Sequence, residues 1–217
     1  MNHDPHPELA SRKEREKLAR QQEILRAARE LFVSKGFHDT TLEEIAQHAE
    51  FGKGTLYNYF SSKEELFFGI LEQAIEETLA IARTSLATPG GVREKLTSYA
   101  CAMIHYVKSN GELLHVLYHE LHRNDFPVNA AKLRQILNRT RGTWDMLAEP
   151  LRAGIHDHAL RECDPIHLAV LFDGMIRGFC FHRFSVERSP VDENFSAVAE
   201  SITSVFLDGI TERKSKG

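Results

Sequence analysis

Apolar residues recur along this chain at the three- and four-residue spacing of amphipathic helices, and no useful length alternates residue by residue as a strand would. The pattern predicts an all-α protein of about nine helices. The first clear helix runs from about Leu18 to Lys35, with Ile24, Ala27, Ala28, Leu31 and Phe32 on one face and Gly36 as its stop. A helix of about two turns follows, in which Leu42, Ile45, Ala46 and Ala49 keep the same spacing. Thr41 with Glu44 can form its capping box, and Thr40 with Glu43 offers the register one residue earlier. Only Glu50, Phe51 and Gly52 separate it from a short helix over about Lys53 to Phe60. Two short helices joined this tightly have the form of a helix-turn-helix.

Ser62 with Glu65 can cap a fourth helix, whose Leu66, Phe67, Ile70, Leu71, Ile75 and Leu79 carry it into the low eighties. The run SLATPGG at 85–91 is the clearest break. Beyond it, helices are expected at 92–108, 112–123, 129–157 with a bend at Pro150, 165–184 and 191–211. The breakers between them are Asn110-Gly111, Asp125-Phe126-Pro127, Asp164-Pro165 and Ser189-Pro190. Asp164 is a natural N-cap, with Pro165 at the first helical position.

Composition narrows the class. A chain of 217 residues, 42% hydrophobic and 27% charged, suits a soluble globular protein with a sizeable core. Its polar start lacks an apolar leader, and no run approaches a membrane span, so a cytoplasmic protein without a membrane partner is expected. Three cysteines without CxxC spacing suggest neither a disulfide framework nor a zinc ribbon. The net charge of −4 gives no global attraction to nucleic acid. Its distribution does more: residues 11–35 hold eight Lys or Arg against four Glu, and residues 51–63 hold two Lys and no acid. Such an excess fits one end that touches phosphates, or an ordinary solvated helix face. There is no GxSxG, no P-loop and no GxGxxG before a helix, so no enzyme chemistry is indicated.

The short helix has chemistry of its own. Burying Leu56 and Phe60 four apart turns Lys53, Gly54, Thr55, Tyr57, Asn58 and Tyr59 outward, an excess of hydrogen-bond donors. Lys, Thr and Tyr can donate to phosphate oxygens, and Asn matches the major-groove edge of adenine. Gly54 lets the backbone come close to a groove. The alternative is a capped surface helix in any small bundle. The string GFHDTTLEEIAQHAEFGKGTLYNYFSSKEELF, within residues 18–72, resembles the N-terminal DNA-binding module of TetR-family transcriptional regulators. That resemblance implies that Thr41, Tyr57 and Lys63 contact the DNA backbone, and that Lys53, Thr55, Asn58 and Tyr59 lie in the major groove. In place of the family's usual Ala-Gly-Val-Ser turn the chain has Ala49, Glu50, Phe51 and Gly52. Either Glu50 accepts a left-handed conformation, or the turn is reshaped around Gly52. The basic segment Arg12 to Arg20 becomes either an arm toward DNA or a solvated helix.

The resemblance also implies a division into a DNA-binding domain at 1–65 and an effector-binding and dimerisation domain at 66–217. Gly174 and Gly178 stand four apart beside Leu171 and Met175, and with Val198, Ile202, Val205 and Phe206 they form the candidate dimer face. Tyr99, Met103, Tyr106, Leu117, Tyr118, Leu121 and Trp144 are candidates for an effector pocket. His115, His119 and His122 share a helix face with Glu112 a turn before, a spacing open to a divalent metal whose fourth ligand would be His105, His156 or His158. No cofactor is required. The expected function is a ligand-responsive repressor acting as a homodimer on a palindromic operator in double-stranded DNA and released by a small-molecule effector. A metal-responsive regulator is the alternative within the class. A helical metalloenzyme would need carboxylate and histidine pairs on several helices, and Glu112, His115 and Glu120 supply one. A helical adaptor that binds no DNA is the remaining class.

Overall fold

The computed structural model describes residues 12–123, 130–183 and 194–211. Among them are nine helices: α1 Arg12–Lys35, α2 Leu42–His48, α3 Lys53–Tyr57, α4 Lys63–Leu86, α5 Val92–Leu121, α6 Ala130–Asn138, α7 Arg141–His156, α8 Pro165–Phe181 and α9 Phe195–Ile210. The only extended pairing among these residues is an isolated bridge between Leu160 and Thr211. The breaks expected at Asp125-Phe126-Pro127 and Ser189-Pro190 lie outside the described residues.

Several boundaries differ from the sequence expectation. α1 begins at Arg12, so the basic segment Arg12 to Arg20 is regular helix. α5 runs unbroken through Asn110-Gly111. Asn110 donates its side-chain amide to the Tyr106 carbonyl one turn back, 2.9 Å away, and Met103, Ile104, Leu113 and Leu117 stay buried on both sides of the glycine. Burial of a continuous apolar face outweighs a local cost of about 1 kcal/mol for a mid-helix glycine. Conversely, the expected 129–157 helix is two helices. The chain breaks at Arg139 and Thr140, where Arg139 N, Thr140 N, Gly142 N and Thr143 N all bond three residues back. Pro150 sits inside α7 without ending it.

The described residues fall into two compact units, 12–70 with 116–123, and 71–115 with 130–183 and 194–211. In the first, Ile24, Leu25, Ala28 and Phe32 of α1 are buried with Ile45, Leu56, Leu66, Phe67 and Ile70. Gly36 turns the chain at φ 86, and Phe37 folds back to set its ring 5.2 Å from Phe32 and 5.5 Å from Phe67. Gly69 allows α4 to approach α1, since a Cβ there would stand 2.9 Å from a Leu25 methyl.

The second unit is centred on Leu96, Tyr99, Ala100, Met103 and Ile104 of α5, Leu147, Ala148 and Leu151 of α7, Phe172 and Ile176 of α8, and Phe206 and Leu207 of α9. α8 starts as its sequence suggests, with Asp164 accepting from Ile166 N and His167 N and Pro165 at its first position. At the heart of this core the Asp173 carboxylate accepts from the Tyr99 hydroxyl at 2.7 Å, the Trp144 indole N–H at 3.0 Å and Arg177 Nε at 2.8 Å. Burial, with the Asp173 charge adding to it, pushes the Tyr99 phenol well above its ordinary value.

Candidate nucleic-acid interface

The helix-turn-helix is fixed at its first residue. Thr41 is the N-cap of α2: its hydroxyl accepts from Glu44 N at 3.2 Å, and Glu44 Oε2 accepts from Thr41 N at 2.9 Å, completing a capping box. Of the two registers the sequence allowed, Thr41 with Glu44 forms. Bonds from Lys35 first, then Thr41, hold the Glu44 carboxyl down at about 2. Thr40 is buried and donates instead to the Gly36 carbonyl at 2.8 Å.

The turn resolves the second alternative. Glu50 has φ 58, in the left-handed region, and Phe51 N reaches the Ala46 carbonyl at 2.8 Å. Gly52 has φ −64 and ψ 145, a conformation open to any residue, and caps α3 with its backbone carbonyl alone. The strain sits on Glu50. α3 itself is five residues long, shorter than the stretch to Phe60 that the spacing suggests. Asn58 N and Tyr59 N bond three residues back, and this tighter turn brings Phe60 into the core beside Leu56.

On this frame Thr41, Lys53, Gly54, Tyr57 and Asn58 are exposed, whereas Thr55 and Tyr59 are only half-exposed. The fully outward face expected for α3 is therefore narrower, because the tightened turn tilts Tyr59 toward the protein. The Lys53 ammonium is bonded to the Glu43 carboxylate of α2 and lies 5.9 Å from the Tyr57 ring centre. Lys63 departs further from its expected place on the DNA backbone. It donates to the carbonyls of His38 and Thr40, each at 2.9 Å, and stands 4.6 Å from the Phe37 ring centre. Burial depresses its ammonium below the ordinary lysine value. Most of its donor capacity is thus spent on the α1–α2 turn.

The sequence reading missed one residue of this assembly. Glu120, in the last turn of α5 and 5% exposed, places Oε2 2.9 Å from His38 Nε2 and Oε1 3.4 Å from His119 Nδ1. Lys63 of α4 and Glu120 of α5 together fix the turn that leads into the Thr41 cap. Nothing local signals a partnership across 82 positions.

The remaining candidates are placed less simply. Leu117, Tyr118 and Leu121 belong to the first unit and Tyr99, Met103, Tyr106 and Trp144 to the second, so the expected effector wall is not assembled within one unit. Tyr99, Met103 and Leu117 are buried core, and Tyr118 is 51% exposed. A pocket of about 390 Å³ in the second unit is lined by Glu72, Ala131, Lys132, Gln135, Ile136 and Arg139. On the candidate dimer face Leu171, Gly174, Met175, Gly178 and Val205 are exposed and Val198 and Ile202 half-buried, but Phe206 packs inward with its ring 4.9 Å from Phe172. His122 stacks on Tyr118 at 4.0 Å and its Nδ1 lies 2.7 Å from the Tyr118 carbonyl, while His119 turns to Glu120. Among the described residues no three His, Cys, Asp or Glu side chains are grouped to hold a metal ion, so His115, His119 and His122 do not converge. No helix among those residues is long and apolar enough to cross a membrane.

A capped, tightly turned pair of helices presenting lysine, tyrosine and asparagine defines a helix-turn-helix DNA-binding protein. Residues 24–70 match the family model of bacterial regulatory proteins of the tetR family, so the helix-turn-helix module is a TetR-type DNA-binding domain. It is 26% identical over 144 residues to the HTH-type transcriptional activator FasR of Mycolicibacterium smegmatis, a match covering 65% of this chain and 64% of that protein, less than two thirds of its length. The fold is shared with the fatty acid degradation regulator FadR of Bacillus halodurans, at TM-score 0.73 and 19% identity over 97% of this chain and all of that one. It is shared also with FadR of Bacillus subtilis, solved in complex with stearoyl-CoA, at TM-score 0.72 and 20% identity over 87% of this chain and 98% of that one.

Proposed function

We propose that this protein is a cytoplasmic, homodimeric repressor that occupies a palindromic operator through α2 and α3 and is released by a small-molecule effector. The observation that carries the reading is the recognition turn: Thr41, Lys53, Tyr57 and Asn58 stand exposed on helices whose start is fixed by a capping box and whose turn tolerates a strained Glu50. Tyr57 supplies a neutral donor to the backbone, while the Thr41 hydroxyl is bonded to Glu44 Oε2 at 3.1 Å, and Asn58 with the accessible edges of Thr55 and Tyr59 faces base edges. Lys63 acts by holding the α1–α2 turn.

Dimerisation is supported by α8 and α9. Leu171 is 60%, Val205 67% and Met175 36% exposed, and a Cβ added at Gly174 or Gly178 would meet nothing within 4 Å. Large apolar side chains around a bare helix stripe fit a second copy of the same face. For the effector, the fatty-acid regulators of the same fold make a long-chain acyl-CoA the first chemical class to try.

Selection of genomic fragments by the purified protein tests the reading. It is supported by enrichment of one inverted-repeat sequence whose binding is lost on adding long-chain acyl-CoA and whose promoter is derepressed when the gene is deleted. Recovery of no common sequence overturns it, while an enriched site whose promoter falls silent on deletion makes the protein an activator.

A further inference from the structure

The basic side chains around α2 and α3 are engaged with the protein itself. Lys53 is bonded to Glu43, Lys35 to Glu44, and His48 Nε2 lies 2.7 Å from Glu30. Lys63 is turned onto two backbone carbonyls. The surface that meets DNA in the proposed function therefore offers mainly neutral donors, and its one lysine on the recognition helix is bonded to an acid from the neighbouring helix. This follows from topology as well as charge: Glu43 lies in the first turn of α2, and the close packing of α2 on α3 brings its carboxylate to the start of the recognition helix.

We infer that Glu43 is a specificity-determining residue, which withholds the Lys53 ammonium from DNA of arbitrary sequence and yields it only where base contacts repay the exchange. The inference rests on the DNA-binding reading. Non-specific affinity comes almost wholly from cations that neutralise phosphates and release counterions, whereas specific affinity adds contacts to base edges. Engaging Lys53 with Glu43 subtracts one phosphate contact from the recognition helix itself, whose other exposed side chains are neutral. At the operator, contacts from Asn58 and its neighbours hold α3 in place, and the ammonium can exchange one anionic partner for another. Specificity is a difference between two affinities, so lowering the weaker one raises it without any new base contact. The mutual effect is visible in the pair: the Lys53 bond holds the Glu43 carboxyl below its usual range, and Glu43 raises Lys53.

The test is a double-mutant cycle of wild type, Glu43→Gln, Lys53→Met and the double variant, read by fluorescence anisotropy on a random-sequence duplex and on the selected operator. Glu43→Gln is expected to bind the random duplex about three- to fourfold tighter at about 50 mM salt and to steepen its salt dependence by about one phosphate. The operator gains less, so the ratio of the two affinities falls. In the Lys53→Met background the same change is expected to move random-duplex affinity by less than about twofold. Equal gains in both backgrounds would show that Glu43 acts as a plain negative charge, and no gain would show that it restrains nothing; either overturns the inference. If circular dichroism shows α2 lost in the glutamine variant, Glu43→Ala at the same exposed position gives the same reading. Absence of any DNA binding by all four proteins would instead remove the reading on which the inference stands.

Discussion

Truncating Asp173 to alanine is the sharpest probe of how the second unit is held together. The carboxylate is 3% exposed and accepts from three donors on three helices: Tyr99 of α5, Trp144 of α7 and Arg177 one turn on in α8. Removing it leaves the Tyr99 hydroxyl, in a fully buried side chain, without its acceptor. Such an orphan costs about 1–3 kcal/mol. The Trp144 indole is only partly buried and loses a charge-assisted bond whose net worth is about 1–2 kcal/mol. Arg177 is 44% exposed, so water takes up its guanidinium and little is added. The expected loss is about 3–4 kcal/mol, a large share of the roughly 5–15 kcal/mol by which most domains are stable. Tyr99→Phe, which removes one donor and leaves the carboxylate its other two, is expected to cost about 1 kcal/mol. Urea denaturation followed by circular dichroism, at one fixed protein concentration so that the proposed dimerisation contributes equally, measures both. An Asp173→Ala protein within about 1 kcal/mol of wild type would refute the reasoning, as would a Tyr99→Phe protein that loses as much as Asp173→Ala.

Three further outcomes are expected. Glu50→Gly relieves a left-handed glutamate at φ 58 and should stabilise the protein by about 0.5–1 kcal/mol in the same assay, whereas Glu50→Val should destabilise it. Glu44 has its folded value at about 2, below the ordinary 4.5, so its contribution is complete above about pH 4.5 and lost as pH falls through about 2. Glu44→Gln should therefore be less stable than wild type at pH 7 and converge with it near pH 2, and an equal deficit at both would contradict the capping-box account. Glu120→Ala strips a half-exposed His38 of its acceptor, so water takes up part of the loss and the cost should be about 0.5–1 kcal/mol, with weaker operator binding and Glu120→Gln between it and wild type; unchanged DNA affinity in both variants would show that the α1–α2 turn needs no support from α5.

What the sequence made legible was local. The capping box at Thr41, the stop at Gly36 and the start at Asp164-Pro165 depend on residues within four positions of one another, and each forms. The string from Gly36 to Phe67 carried the DNA-binding module because its donors and its buried Leu56 and Phe60 are read from a single short helix. Long-range partnerships left no trace in spacing. Lys63 read as a free surface cation, yet it closes on carbonyls more than twenty residues away, and Glu120 finds His38 across 82 positions. Phe206 shares the period of its exposed neighbour Val205, and only the packing of α9 on Phe172 decides which of them faces inward. Gly111 read as a break because propensity was weighed without the apolar face that continues past it.

The most direct measurement is fluorescence anisotropy of the purified protein with its selected operator and with a scrambled duplex, at about 50 and 200 mM salt, for wild type, Tyr57→Ala and Asn58→Ala. Wild type should bind the operator selectively, with affinity that falls as salt rises. Tyr57→Ala should weaken binding to both duplexes alike, and Asn58→Ala should cost about 1–3 kcal/mol on the operator while leaving the scrambled duplex nearly unchanged. Operator binding that neither substitution alters would contradict the claim that α3 is the surface that reads DNA.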